Sequence, residues 1–127
     1  MAADAPGYVL AFSPHDDGLR AHVTGEANLA VTVAYWLEIA QEARRVGADK
    51  LLLIDEMRGE ALGESDWLQL VTALRDEGLQ KLRIAHVKPA GLQQVEFCEI
   101  FARDAGIEAR VFENETLAGV WLRYGEP

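Results

Sequence analysis

Four consecutive apolar residues, Leu51 to Ile54, lie between charged Lys50 and Asp55. A run that is apolar at every position is a strand covered on both faces, which places it in the middle of a sheet. Leu19-Arg20-Ala21-His22-Val23-Thr24 alternates instead, so Leu19, Ala21 and Val23 share one face and His22 points toward solvent. Tyr8 to Phe12 is a further strand. The stretch Ser13 to Gly18 between these two runs holds turn residues, Asp17-Gly18 above all. Together they predict an antiparallel hairpin at one side of the sheet.

Helical spacing appears next. Leu29, Val33, Trp36, Leu37, Ile39, Ala40 and Ala43 form a broad stripe, with Asn28 placed to cap it and Gly47 to stop it. Tyr35 and Trp36 read as core packing or as a ligand wall. Trp67, Leu70, Val71 and Leu74 follow the i, i+3, i+4, i+7 pattern of a second helix, with Ser65 or Asp66 as its N-cap and Gly78 at its end. Leu82 to Val87 is a strand stopped by Pro89. Leu92 to Ala105 is a third helix, with Val95, Cys98 or Phe97, Phe101, Ala102 and Ala105 inward and Gly106 closing it. Arg110 to Phe112 is a last strand, and Asn114 caps a short helix carrying Leu117, Val120, Trp121 and Leu122. The order is β-β-α-β-α-β-α-β-α. Repeated β-α steps imply right-handed crossovers and a mostly parallel sheet, to which the hairpin adds an antiparallel strand. Residues 1–7 read as a disordered lead and 8–124 as a single α/β domain.

Composition narrows the functional classes. The 127 residues carry 21 acids against 12 bases, a net charge of −9 that repels phosphate backbones and anionic membranes. No apolar run reaches the roughly 20 residues of a bilayer span, and the N-terminus lacks the regions of a signal peptide. The single cysteine, Cys98, cannot form an internal disulfide, which fits a reducing cytoplasm. The expectation is a cytoplasmic protein that binds neither nucleic acid nor membrane and takes no cofactor.

Signatures of catalysis are missing: there is no Gly-x-Ser-x-Gly, no phosphate-binding glycine loop and no His-Glu-x-x-His. His15, Asp16 and Asp17 fit a solvated turn, since a metal would need further ligands. Cys98 on an apolar helix face fits an inert thiol. Sites in open α/β folds gather beyond the carboxyl ends of strands, and three ionisable residues fall there. Asp55 and Glu56 end the central strand and His86 nears the end of its neighbour. They would serve acid–base chemistry only if they converged on a pocket. Otherwise they support loops or bond to Arg58.

The element order within about 120 residues resembles the STAS fold, shared by sulfate transporter domains and bacterial anti-sigma factor antagonists. Phe97 to Phe112, followed by Ala118-Gly119-Val120-Trp121-Leu122, is similar to the bacterial STAS/SEC14-like group of small uncharacterised proteins. Antagonist members carry a phosphorylatable serine at the start of the helix after the central strand, within an Asp-Ser-Ser-Gly-like motif. Glu64-Ser65-Asp66-Trp67 occupies that place here. Ser65 matches the first serine, Asp66 stands at the phosphorylated one, and Trp67 replaces the glycine. The resemblance implies a non-catalytic regulatory module that binds a protein partner, with Ser65 a candidate for phosphorylation. The expected contact face is the loop Glu56 to Glu64, the helix start Ser65 to Leu68 and the strand end His86 to Pro89. Met57, Arg58, Leu62, Ser65, Asp66 and His86 are its contact residues, with Gly59 and Gly63 as pivots. The group's lipid-transfer relatives imply an alternative: a carrier of a small apolar ligand, in a pocket lined by Trp36, Trp67, Phe97 and Phe101 if the helices splay. A homodimer contact through Tyr8, Val9 or the final helix is a further expectation.

Overall fold

The computed structural model describes residues 8–15, 18–26, 28–58, 63–88, 103 and 106–124. Five strands form one sheet in the order β1 (Tyr8–His15), β2 (Gly18–Glu26), β3 (Lys50–Arg58), β4 (Arg83–Val87) and β5 (Glu108–Phe112). β1 and β2 are the expected antiparallel hairpin, and every other pair is parallel. The fully apolar β3 is the middle strand, and Leu51, Leu52 and Leu53 have no exposed surface.

Strand alternation divides the core in two. Helices α1 (Leu29–Val46) and α2 (Glu64–Leu74) cover one face, where Ala21, Val23, Ile39, Leu51, Leu53, Leu70 and Ile84 pack together. Helix α3 (Glu115–Tyr124) covers the other with Ala118, Trp121 and Leu122 against Leu52, Ile54, Ala85 and Val87. Trp121 anchors that layer, with the Phe112 ring 5.7 Å away and the Arg83 guanidinium 5.6 Å from its own ring centre. Of the apolar residues this helix carries, Trp121 and Leu122 turn inward with Ala118, while Leu117 and Val120 are exposed.

Local signals explain most element ends. The Asn28 side chain accepts the Val31 N–H at 2.9 Å, and Gly47 closes α1 in the left-handed conformation at φ 70°. Asn114 Oδ1 accepts the Leu117 N–H at 2.8 Å at the start of α3. Gly18 lets β2 begin close to β3, because a Cβ there would lie 2.7 Å from the Lys50 carbonyl oxygen.

Three boundaries differ from the sequence pattern. β3 continues through Met57 and Arg58, because β2 extends to Glu26 and pairs with both. α2 begins two to three residues earlier than expected, at Glu64, with Gly63 as a cap that has no side-chain bond, so neither Ser65 nor Asp66 is the N-cap. It ends at Leu74, and Gly78 instead opens a short 3-10 turn, Leu79–Lys81. The predicted helix Leu92 to Ala105, with Phe97, Cys98 and Phe101, lies almost wholly outside the described residues, as do Pro89, Asp16 and Asp17.

Candidate functional site

Position along a strand decides which ionisable groups turn inward. Asp55 shares the parity of Leu51 and Leu53, so it points under α1 and α2. On β4, Ile84 and His86 point the same way, and Lys88 follows just beyond the strand. The register places Leu53 beside His86 and Ile54 beside Val87, so Asp55 comes level with Lys88. The Lys88 N–H donates to the Phe112 carbonyl at 2.9 Å, which carries the ladder one residue further.

These three side chains form one buried cluster at the carboxyl edge of the sheet, each under a tenth exposed. His86 Nε2 lies 2.7 Å from Asp55 Oδ2. A carboxylate only accepts, so that nitrogen carries the proton. Lys88 Nζ donates at 3.2 Å to Asp55 Oδ1 and at 3.2 Å to the Met57 carbonyl. The Met57 N–H donates to the same Oδ1 at 3.0 Å. The rings of Trp36, from α1, and His86 meet edge to face with centres 6.3 Å apart.

Burial alone would push the Asp55 carboxyl up. The bond from His86, the charges of His86 and Lys88, and the Met57 N–H outweigh it and pull the carboxyl down to about 2. The cluster thus holds an ionised carboxylate surrounded by donors, tying β3 to β4 where both strands end.

Glu56 does not join this cluster. It points to the opposite face, where its Oε1 lies 2.5 Å from His22 Nε2. Arg58 pairs with Glu26 rather than with Asp55 or Glu56, at 3.8 Å and with both side chains exposed, an arrangement worth little. Asp55 and His86 therefore converge, but with Lys88 as the third member. They are sealed from solvent instead of lining an open pocket.

The expected contact residues divide accordingly. Met57 is only 5% exposed and packs in the core, because the extra ladder pairs keep it in β3. His86 is 1% exposed and committed to Asp55. Neither presents a side chain to a partner. Leu62 lies outside the described residues. Arg58 and Ser65 are exposed and Asp66 is half-buried. Glu64 and Asp66 put two carboxylates in the first turn of α2, beside the positive end of the helix. One turn on, Leu68 is 55% exposed. Lys88 and Leu68 fall within the bounds of the expected contact face, but sequence reasoning singled out neither, and the pairing of Lys88 with Asp55 was not foreseen. The alternation Ile84, His86, Lys88 was the available signal for the first. For the second, the spacing pointed only to the buried stripe.

Trp36 and Trp67 do share a cavity. It has a volume of about 40 Å³ and is also lined by Leu70, Leu74, Ile84 and Ile107. Both indole N–H groups are buried without a partner. Among the described residues, no cluster of three or more metal-ligating side chains occurs and no helix is long and apolar enough to cross a membrane.

No protein-family profile matches the chain, and no curated protein matches it by sequence. Solved structures do. An anti-sigma factor antagonist from Mycobacterium paratuberculosis superposes with a TM-score of 0.60 at 16% identity, covering 94% of this chain and 97% of that one. An uncharacterised protein with a SpoIIAA-like fold from Shewanella loihica gives 0.56 at 17% identity, covering 96% and 98%. The chain therefore has the STAS-like fold, a SpoIIAA-like mixed sheet with an antiparallel first pair.

Proposed function

We propose that this chain is a non-catalytic regulatory module that binds a protein partner through the start of α2 and the adjoining end of β3. One observation carries the reading. Immediately beyond the central strand, the first turn of α2 stands exposed and has no side-chain cap, with Leu68 uncovered beside it. The ionisable groups behind it are consumed in holding that edge together. A surface with acids at 64 and 66 around an apolar side chain fits a partner that offers basic residues around an apolar seat. The structural neighbour described as an anti-sigma factor antagonist is consistent with this class of activity.

Ser65 is exposed at the second position of the helix. A phosphate there would meet free backbone N–H groups and add roughly two negative charges to an already acidic turn. Partner release on phosphorylation is the expected consequence.

The test is affinity capture from the native host with the intact chain and with Arg58→Ala, Asp66→Ala and Leu68→Ala combined. These positions are exposed or half-buried, so the variant should melt within a few degrees of the parent and lose the captured partner. Undiminished capture by the triple variant would reject this face.

A second reading, a carrier of a small apolar ligand, draws support from the tryptophan-lined cavity. Its volume suits a very small molecule rather than a lipid chain. Native mass spectrometry of gently purified protein should then show an adduct, and a bare chain mass would count against it.

A further inference from the structure

The two outer strands of the sheet are unlike each other. β5 carries exposed Glu108 and Arg110, the kind of charges that discourage a foreign strand from adding to an edge. β1 has no such protection. Tyr8 to Pro14 contains no charged side chain. Its pairing with β2 runs unbroken from Tyr8↔Gly25 to His15↔Gly18, with no bulge to turn the edge aside. Among the described residues no strand pairs with its outer side. Tyr8, Leu10 and Phe12 face the α1 layer, so Val9 and Ala11 face the other way. There α3 packs on β3, β4 and β5, leaving Val9 66% exposed and Ala11 exposed.

We infer that two copies of this chain associate through β1, pairing antiparallel about a two-fold axis at Leu10 to make one continuous ten-stranded sheet. The register follows from hydrogen-bond parity. Alternate residues of β1 exchange both bonds with β2, and the others point outward. A proline sits in an edge strand where its missing N–H faces solvent. That puts Pro14, and with it Phe12, Leu10 and Tyr8, in the outward set. Centring on Leu10 sets Leu10 against Leu10 of the second copy and Tyr8 against Phe12, giving about six new backbone hydrogen bonds. Centring on Phe12 instead would set Pro14 against Leu10 and forfeit bonds.

Side chains select a second copy as the occupant. In the Leu10-centred register every cross-strand pair from Tyr8 to Phe12 is apolar, with Val9 opposite Ala11 on the outer face, so this stretch is its own complement. Two molecules of charge −9 repel, and β1 is a surface on which they meet without opposing charges. The Glu38 carboxylate, on α1, accepts a hydrogen bond from the Tyr8 hydroxyl. The proposed partner-binding turn of α2 is not part of this edge and stays free.

Sedimentation equilibrium of the full chain tests this. The mass should rise with concentration from 14.0 kDa toward twice that value. Val9→Lys and Ala11→Glu each change an exposed side chain, so both should melt like the parent. Each alone should weaken association about tenfold or more. Because Val9 faces Ala11, an equimolar mixture of the two variants should associate more tightly than either alone. A monomer mass up to about 500 μM, well above the weak-affinity range, would overturn the inference. So would unchanged association in both variants, or a mixture no tighter than its components. A wild-type monomer that instead captures an extended peptide on β1 would also overturn it.

Discussion

Replacing Asp55 with asparagine is the sharpest test of the buried cluster, because it removes one charge and almost no volume. Oδ1 can still accept from the Met57 N–H, but the ammonium of Lys88, 8% exposed, is left without a counter-charge. Removing one partner of a buried pair costs about 3–5 kcal/mol, since the remaining charge stays desolvated. For a chain of this size that is a fall in melting temperature of about 10–20 °C. Urea denaturation followed by circular dichroism at pH 7 would measure it. A pH series gives an independent check of sign. The folded carboxyl sits near 2, against an ordinary value of 3.8. Its contribution is therefore present above about pH 4 and disappears as pH falls toward 2, a loss of roughly 2 kcal/mol in the parent. Asp55→Asn should lack that part of the acid profile. Adding Lys88→Met should recover part of the loss, because the orphaned charge is then gone. A single variant within about 1 kcal/mol of the parent at pH 7 would refute the reasoning, as would a double variant whose cost is the sum of the two singles.

The Tyr8 hydroxyl donates to Glu38, and burial, that bond and the Glu38 charge push the phenol up to about 12. Spectrophotometric titration should show one tyrosine ionising well above its ordinary 10. Glu38→Gln should bring it down, and stability from this pair should be complete below pH 10 and vanish as pH rises through 12. Asn28→Ala should cost about 1 kcal/mol by leaving the Val31 N–H without its acceptor, whereas Asn28→Asp should keep most of it. Chemical denaturation of the three proteins side by side decides this, and equal stabilities would remove the cap from the account of α1.

The five strands, the flanking helices and the hairpin were legible in the sequence because short-range chemistry specifies them. Leu51 to Ile54 is apolar throughout because both layers cover it. Asn28, Gly47 and Asn114 act on backbone groups within a few residues of themselves. The placement of Asp55 and His86 near the carboxyl ends of β3 and β4 followed from that order. The fate of individual side chains there did not. Met57 is inside because β2 runs on to Glu26 and holds β3 in the ladder, a pairing between residues about 30 positions apart. Asp55 and Glu56 look alike in the chain, yet parity sends one to His86 and Lys88 under α1 and the other to His22 on the opposite face. Partners more than 30 residues distant in the chain come within 3.2 Å only when β3 and β4 lie side by side, so sequence determined the elements and tertiary register decided which charges are buried together.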